Sequence, residues 1–178
     1  MHRLFIGLRP PPAIREQLLV LTDGVENARW QDDDQLHLTL RFAGELEARQ
    51  ADDLADELAR VPMHPFPLTL RGVGHFERKG VSHILWAGVD RSEPLAILQG
   101  RVEQACRRAG LEPEGRKFAP HITLARLNRF AGPVGGWLAQ HGTFATEEWT
   151  VEHMTLFESH LTPLGSEYQP VVRYALRD

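Results

Sequence analysis

The chain has 178 residues and a formal net charge of −4, from 20 basic and 24 acidic residues. Hydrophobic residues make up 42% of it and charged residues 25%, which are ordinary values for a globular protein. The length predicts a single domain over residues 1–178. The acidic balance argues against a protein that holds long duplexes by neutralising phosphates, although it permits a locally basic cleft for one terminal nucleotide.

Cys106 is the only cysteine in the sequence, which excludes an internal disulfide and a metal cage made of thiolates. No apolar run approaches the ~20 residues of a membrane span. The N-terminus also lacks the pattern of a secretory signal. We therefore expect no contact with a membrane and a location in the cytoplasm, and we expect a monomer.

The first half of the chain predicts the order strand–helix–strand–helix–strand. The prolines at positions 10–12 end the first strand and start a helix, and Gly44 is expected to stop the second strand. The predicted elements are a strand over 3–8, a helix with Ile14, Leu18, Leu21 and Val25 at helical spacing, a strand over 36–42, a helix over 48–61 and a strand over 66–73.

The second half predicts the same order again. Its elements are a strand over 83–89, a helix over 94–109, a strand over 118–125, a short helix over 134–140, a strand over 150–157 and a last strand over 170–176. The stretches 72–80, 112–117 and 129–136 are expected to be less regular. No linker rich in Gly, Ser or Pro separates the halves, so we expect one folding unit.

A short motif occurs in the middle strand of each half. Residues 37–40 read His-Leu-Thr-Leu, and residues 121–124 read His-Ile-Thr-Leu. This repetition predicts an internal duplication of the strand–helix–strand–helix–strand unit, from repeats of about 1–80 and 81–178. The predicted fold class is therefore α+β, with two lobes related by a pseudo-twofold axis around a central cleft.

The two motifs can supply acid–base chemistry. Residues i and i+2 of a strand share a face, so His37 and Thr39 point one way, and His121 and Thr123 do the same in the second motif. A histidine exchanges protons near neutral pH, and a threonine hydroxyl can donate a hydrogen bond to an anion. Two imidazoles and two hydroxyls on one surface indicate cleavage of a phosphodiester by a general acid and a general base, without a metal or another cofactor.

A third copy of the motif tests this interpretation. Residues 153–156 read His-Met-Thr-Leu. The corresponding place in the first half, residues 68–70, has no histidine, so His153 lacks a symmetry partner. We therefore predict that His153 is structural or peripheral.

The chain resembles the two-histidine (2H) phosphoesterase superfamily, and within it the RNA 2′,3′-cyclic phosphodiesterases, formerly called 2′-5′ RNA ligases. The resemblance covers nearly the whole chain, and its motifs lie at residues 3–6, 37–45, 118–126 and 157–161, with Gly165 and Tyr168. Ala43 departs from the family pattern, in which leucine is more usual. This difference affects packing and not chemistry.

The resemblance implies hydrolysis of a terminal 2′,3′-cyclic phosphate of RNA to a 2′-phosphomonoester. It matches His37 to the general acid at O3′ and His121 to the general base, and it matches Thr39 and Thr123 to phosphate-binding hydroxyls. Phe42 matches an aromatic residue that stacks on the terminal base. The partners implied are RNA 3′ ends or nucleotides that carry a 2′,3′-cyclic phosphate.

Two further arginines are candidates for substrate contacts. Arg126 occupies the position after His121 that Phe42 occupies after His37, so it is expected to line the base or reach the phosphate, or else to be a solvated residue at the strand end. Arg41 shares the face of His37 if alternation persists, which would let it contact an anion. Strict alternation would turn Phe42 into the core, against the role that the resemblance implies.

Other functions remain open at this point. The same fold could serve a non-catalytic protein that binds nucleotides or RNA, or a 2H phosphodiesterase that acts on small cyclic nucleotides or ADP-ribose cyclic phosphate. A metal hydrolase would need more ligands converging on the cleft. The acidic residues 32–34 lie close to His37, but such a run is typical of a solvated loop.

Overall fold

The computed structural model of the chain describes residues 1–177, and strands dominate it. The strands are β1 His2–Leu8, β2 Arg29–Trp30, β3 Leu38–Leu46, β4 Phe66–Leu68, β5 Leu70–Arg78, β6 Val81–Val89, β7 His121–Arg126, β8 Trp149–Val151, β9 His153–Thr162 and β10 Gly165–Ala175. The helices are α1 Pro12–Leu19, α2 Ala48–Ala59, α3 Glu93–Arg108 and α4 Gly135–Gln140, with a 3₁₀ helix at Asp33–Gln35.

The main sheet places the two motif-bearing strands side by side at its centre. Its strands lie in the order β10, β9, β1, β3, β7, β6, β5, and β2 also pairs with β7. Neighbouring strands run antiparallel, and Leu38 of β3 lies opposite Ile122 of β7. Strands β4 and β8 form a separate pair. The predicted α+β class is confirmed.

The two central strands carry an irregularity at the same position of their motifs. The register of β3 against β1 shifts at Leu40, and the register of β7 against β6 shifts at Leu124. Each shift is a β-bulge, in which one extra residue interrupts the alternation of side chains. The residues after each bulge are consequently turned over, so Arg41 is buried at 7% exposure whereas Phe42 is 54% exposed.

The helices cover the side of the sheet that the leucines of the motifs face. Helices α2 and α3 pack against each other, and both contact β3. Their inward residues are buried, as are Leu38, Leu40, Ile122 and Leu124 of the motifs. Each such side chain contributes roughly 1.5–3 kcal/mol on burial. This packing holds the central strands with their polar motif residues on the opposite face.

Several predicted boundaries were wrong because strands continue through glycines. Gly44 lies inside β3, with a φ of 81°, and does not stop it. The stretch 72–80, expected to be irregular, belongs mostly to β5 and its turn into β6. Lys79 and Gly80 both have positive φ angles, which is the requirement of the tight turn that joins two antiparallel strands.

Other differences come from tertiary pairing. The strand predicted over 66–73 is two strands, because β4 pairs with β8 whereas β5 pairs with β6. Helix α1 ends at Leu19, although Leu21 and Val25 beyond it are buried as expected. The division into repeats of about 1–80 and 81–178 stays a prediction.

Candidate active site

His37 is held by hydrogen bonds at both ring nitrogens. Its Nδ1 is 2.8 Å from the carbonyl oxygen of Gln35, and its Nε2 is 2.8 Å from Oγ1 of Thr39. Because a carbonyl oxygen only accepts, Nδ1 carries the proton in the neutral ring and Nε2 accepts from the threonine hydroxyl. The Gln35 backbone is fixed in turn by reciprocal capping bonds with Asp32 around the 3₁₀ helix.

His121 adopts the same arrangement at the start of β7. Its Nδ1 is 2.7 Å from the carbonyl oxygen of Ala119. This bond, like that of His37, assigns the ring proton to Nδ1 and leaves Nε2 as the nitrogen that can exchange a proton. The two motifs therefore hold their imidazoles in the same way, by a hydrogen bond from Nδ1 to the backbone carbonyl two residues earlier.

The central strand pair brings the two motifs together. Since Leu38 lies opposite Ile122, continuing the register by one residue sets His37 across from Thr123 and His121 across from Thr39. Neighbouring residues of paired strands have Cβ atoms about 4.5–5.5 Å apart. The polar residues of both motifs therefore lie on one face around a common centre.

Aromatic rings surround His37. Its ring centroid is 4.7 Å from that of Phe5, 5.1 Å from that of Tyr168 and 6.1 Å from that of Phe157. Burial in this setting lowers the pKa of His37 to about 4, and the positive charge of Arg126 contributes in the same direction. In the free protein His37 is therefore neutral at pH 7.

His121 has a smaller aromatic setting. The ring of Phe76 meets it edge to face at 4.8 Å, and that of Trp86 lies at 6.5 Å. Burial lowers the pKa of His121 below its ordinary value, and the charge of Arg126 adds to this effect. Arg126 therefore acts electrostatically on both histidines.

The bulges turn Phe42 and Arg126 toward the face of the histidines. Phe42 is 54% exposed, and its ring lies 6.0 Å from that of Phe5, which in turn contacts His37. Arg126 is exposed at the end of β7. An exposed aromatic ring and a guanidinium beside two imidazoles form a surface suited to a base and a phosphate.

Comparison with known protein families agrees with this site. A family described as LigT-like phosphoesterases matches residues 8–86 and 88–168, which together include both motifs. The chain belongs to this family. The match confirms the resemblance to 2H phosphoesterases inferred from the motifs.

Named relatives and a solved structure agree. The chain is 28% identical over 170 residues to an RNA 2′,3′-cyclic phosphodiesterase of Archaeoglobus fulgidus, covering 94% of this chain and 96% of the relative. It is 33% identical over 186 residues to the enzyme of that name from Thermus thermophilus, covering 98% and 90%. The crystal structure of Escherichia coli LigT complexed with 3′-AMP matches with a TM-score of 0.79 at 28% identity, covering 99% of each chain.

The threonines of this phosphoesterase lie beside the histidines. The hydroxyl of Thr39 donates a hydrogen bond to Nε2 of His37. Thr123 lies opposite Trp86 of β6, on the face of His121. Both threonines are partly exposed on the face of the histidines.

Arg41 does not join the site, because the alternation on which its expected contact with a substrate anion depended does not persist. The bulge at Leu40 turns Arg41 to the helix side, where its Nε donates to the carboxylate of Glu103 at 2.6 Å. Its Nη1 also donates to the carbonyl of Phe42 at 2.6 Å. Hydrogen bonds from Arg41, Arg107 and a backbone amide outweigh the effect of burial and hold the pKa of Glu103 at about 2.

His153 lies outside the pair of central strands. It begins β9, and its Nδ1 accepts a hydrogen bond from Nη2 of Arg173 at 3.2 Å.

The acidic run near His37 is engaged by an arginine. The carboxylate of Asp33 pairs with Arg15, whose Nε lies 2.9 Å away. Among residues 1–177, no three His, Cys, Asp or Glu side chains are grouped so as to hold a metal ion.

Sequence reasoning assigned no role to the aromatic residues around His121. Phe76 and Trp86 come from β5 and β6, and Trp86 packs over Gly74, where a Cβ would come within 2.3 Å of the indole. One signal was available, because the pair Phe76-Glu77 in β5 repeats the pair Phe157-Glu158 in β9.

No helix within the described part of the chain is long and apolar enough to cross a membrane.

Proposed function

We propose that this chain hydrolyses the 2′,3′-cyclic phosphate at the end of an RNA to a 2′-phosphomonoester. His37 acts as the general acid and His121 as the general base. One observation carries the proposal: both imidazoles are held by Nδ1 to a backbone carbonyl on one face of adjacent strands. Each Nε2 is thereby the nitrogen that exchanges a proton with a substrate between them. At His37 the Thr39 hydroxyl, which donates to Nε2 of the neutral ring, must turn away when that nitrogen is protonated.

The reaction needs one proton transfer at each histidine. Nε2 of neutral His121 takes a proton from water while the water oxygen attacks phosphorus. The P–O3′ bond breaks, and Nε2–H of protonated His37 gives its proton to O3′. The phosphate then remains on O2′. Each such transfer typically contributes ~10²–10⁴-fold to the rate.

The threonines and Arg126 stabilise the charge that develops on phosphorus. Protonation of His37 at Nε2 releases the hydroxyl of Thr39 from that nitrogen. The hydroxyls of Thr39 and Thr123 then donate hydrogen bonds to the non-bridging oxygens, and the guanidinium of Arg126 supplies a positive charge nearby. Preorganised donors of this kind reduce the barrier because they need no reorientation during the reaction.

The lowered pKa of His37 couples its acid role to substrate binding. In the free protein its pKa is about 4, so it binds few protons at pH 7. The negative charge of a bound phosphodiester beside the ring favours the imidazolium and raises the pKa. Substrate binding therefore favours protonation of His37, which then donates that proton to the leaving oxygen.

Phe42 holds the terminal base. Its exposed ring lies on the same face as His37, and stacking on an aromatic ring accepts any base. This contact would make the chain tolerant of sequence at the last nucleotide of the RNA.

The deciding experiment uses an RNA oligonucleotide that ends in a 2′,3′-cyclic phosphate. We expect hydrolysis in the presence of excess EDTA, with a 2′-phosphomonoester as the product. A 3′-phosphate product would overturn the assignment of acid and base. Binding of the oligonucleotide without hydrolysis would instead favour the non-catalytic function. Parallel reactions with 2′,3′-cyclic AMP and ADP-ribose cyclic phosphate separate RNA ends from the smaller substrates.

A further inference from the structure

A cavity of about 440 Å³ adjoins the candidate active site on the side of His37. Phe157 of β9 forms part of its wall, and the same ring lies 6.1 Å from that of His37. Thr155 and His153 precede Phe157 on the same face of β9 and also line the cavity. The cavity therefore continues the surface that carries the imidazoles and is outside the set of residues assigned above to the reaction.

The charged residues that line the cavity are predominantly basic. Arg9, Arg15 and Arg173 contribute guanidinium groups, against one carboxylate in the lining, that of Glu152. Arg9 and Arg15 share the carboxylate of Asp33, at 3.5 Å and 2.9 Å. Arg9 also lies 3.9 Å from the carboxylate of Asp34, so these two arginines are largely paired and the charge available to an anion is that of Arg173.

Arg173 is the guanidinium best placed to receive a ligand. It is exposed on β10, opposite Thr155 of β9. Its Nη2 donates to Nδ1 of His153 at 3.2 Å, and an accepting ring nitrogen carries no negative charge. The charge of Arg173 is therefore not neutralised by this contact, and the remaining N–H groups can bind a phosphate in a forked geometry.

Most of the remaining lining is apolar and partly aromatic. The half-buried indole of Trp149 forms one wall, and Pro10, Pro12 and Pro170 contribute others. An aromatic platform beside arginines is the combination that single-stranded nucleic acids use, because the base stacks while the backbone is neutralised.

We propose that this cavity binds the nucleotide that precedes the terminal one in an RNA substrate, with its phosphodiester on Arg173 and its base against Trp149. The proposal rests on the proposed function and specifies its substrate as an oligonucleotide. Strand β1 runs from Phe5, beside Phe42, toward Arg9 at the cavity. In a nucleotide the base is attached to C1′ of the ribose, and the 5′ side of the RNA backbone continues from C4′, across the ring. A base stacked on Phe42 therefore allows the RNA backbone to run toward this cavity.

The test compares adenosine 2′,3′-cyclic phosphate with the dinucleotide ApA that ends in the same cyclic phosphate. A charge-assisted hydrogen bond is worth enough to raise kcat/KM for the dinucleotide by about tenfold or more. The variant Arg173→Gln should remove about tenfold of this preference without changing kcat/KM for the mononucleotide. Arg173→Lys, which retains the charge, should retain part of the preference. Arg49→Gln on the exposed surface of α2 is the matched control and should change neither value.

Equal kcat/KM values for the two substrates would overturn the proposal, as would an equal loss on both substrates in Arg173→Gln. If neither substrate is hydrolysed, the proposed function fails, and the cavity is tested by binding alone. We then compare the affinities for ApA carrying a terminal 2′-phosphate and for 2′-AMP. A tighter dinucleotide complex that Arg173→Gln weakens to the mononucleotide level supports the cavity, and equal affinities refute it.

Discussion

At the scale of single residues, the chemistry depends on two histidines that share a hydrogen-bonding device but differ in surroundings. Both donate Nδ1–H to the carbonyl two residues earlier. His37 contacts three aromatic rings, whereas His121 contacts two. The more apolar surroundings of His37 disfavour its protonated form in the free protein, so its role as general acid depends on the negative charge of the bound phosphodiester.

Removal of either imidazole should abolish most activity without unfolding the protein. We expect His37→Ala and His121→Ala each to lower kcat by roughly 10²–10⁴-fold, the usual contribution of one proton transfer. His153→Ala should retain hydrolysis of a mononucleotide, because His153 contacts Arg173 rather than the central motifs. Steady-state kinetics with circular dichroism on all three variants tests this. Equal inactivation by His153→Ala would contradict the assignment.

The pH dependence of kcat/KM should reflect the lowered pKa values of the free protein. The active form has His37 protonated and His121 neutral, and burial lowers both pKa values below 6.5. As pH rises above 6.5, the protonated fraction of His37 decreases, so kcat/KM should decrease too. Arg126→Gln removes a positive charge that lowers both pKa values and should move this decrease to higher pH. A plateau in kcat/KM between pH 6.5 and 8.5 would refute the assignment.

At the scale of elements, the bulge in β3 decides which side chains reach the substrate. It sends Arg41 to the helix side and Phe42 to the cleft. The ion pair of Arg41 with Glu103 of α3, together with the bond to the Phe42 carbonyl, holds the strand in this irregular form.

Loss of the Phe42 ring should weaken substrate binding. We expect Phe42→Ala to cost roughly 1–3 kcal/mol, the usual worth of one stacked base. The ring is 54% exposed, so unfolding should be little affected. Affinity for 2′-AMP, measured by calorimetry beside the thermal midpoint, separates these effects. An unchanged affinity would show that the base binds elsewhere.

The buried ion pair should matter for stability. Glu103→Gln leaves the guanidinium of Arg41 buried without its carboxylate, which should cost roughly 3–5 kcal/mol in the free energy of unfolding. Glu57→Gln is the matched control, because Glu57 also pairs with two arginines but on an exposed surface, where loss of a pair costs about 1 kcal/mol or less. Urea denaturation compares the free energies of unfolding of the two variants, and equal losses would contradict a stabilising role for the buried ion pair.

At the scale of the whole molecule, burial of the active site against the core couples catalysis to stability. His37 lies beside Phe5 and Phe157, two buried residues of strands β1 and β9. Protonating its ring in the folded state therefore places a charge against apolar groups, at a cost that the unfolded chain does not have.

The protein should lose stability as the pH falls from about 6.5 to about 4. The unfolded chain has an ordinary histidine pKa of 6.5, while folded His37 has a pKa of about 4, so the unfolded state binds more protons in this window. The difference corresponds to a loss of at most about 3 kcal/mol. His37→Asn keeps a donor for the Gln35 carbonyl but has no group that titrates in this window, so it should lack this part of the loss in the free energy of unfolding. Urea titrations at pH 7.5 and 4.5 test it, and identical pH dependence in both proteins would refute it.

The sequence alone determined the fold class, the two motif strands and the residues that face away from the core within each motif. These features are local, because alternation along a strand places His37 with Thr39 and buries Leu38 whatever the strand pairs with. The same is true of His121 and Thr123.

Only the tertiary structure decided where the residues after each motif point. A bulge exists only relative to the neighbouring strand, so the burial of Arg41 and the exposure of Phe42 depend on pairing between β3 and β1. In the same way, β9 and β10 bring His153 and Arg173 into the lining of the same cavity as Arg9, which is distant from both in sequence. Such contacts follow from strand order and register, which periodicity within one segment does not encode.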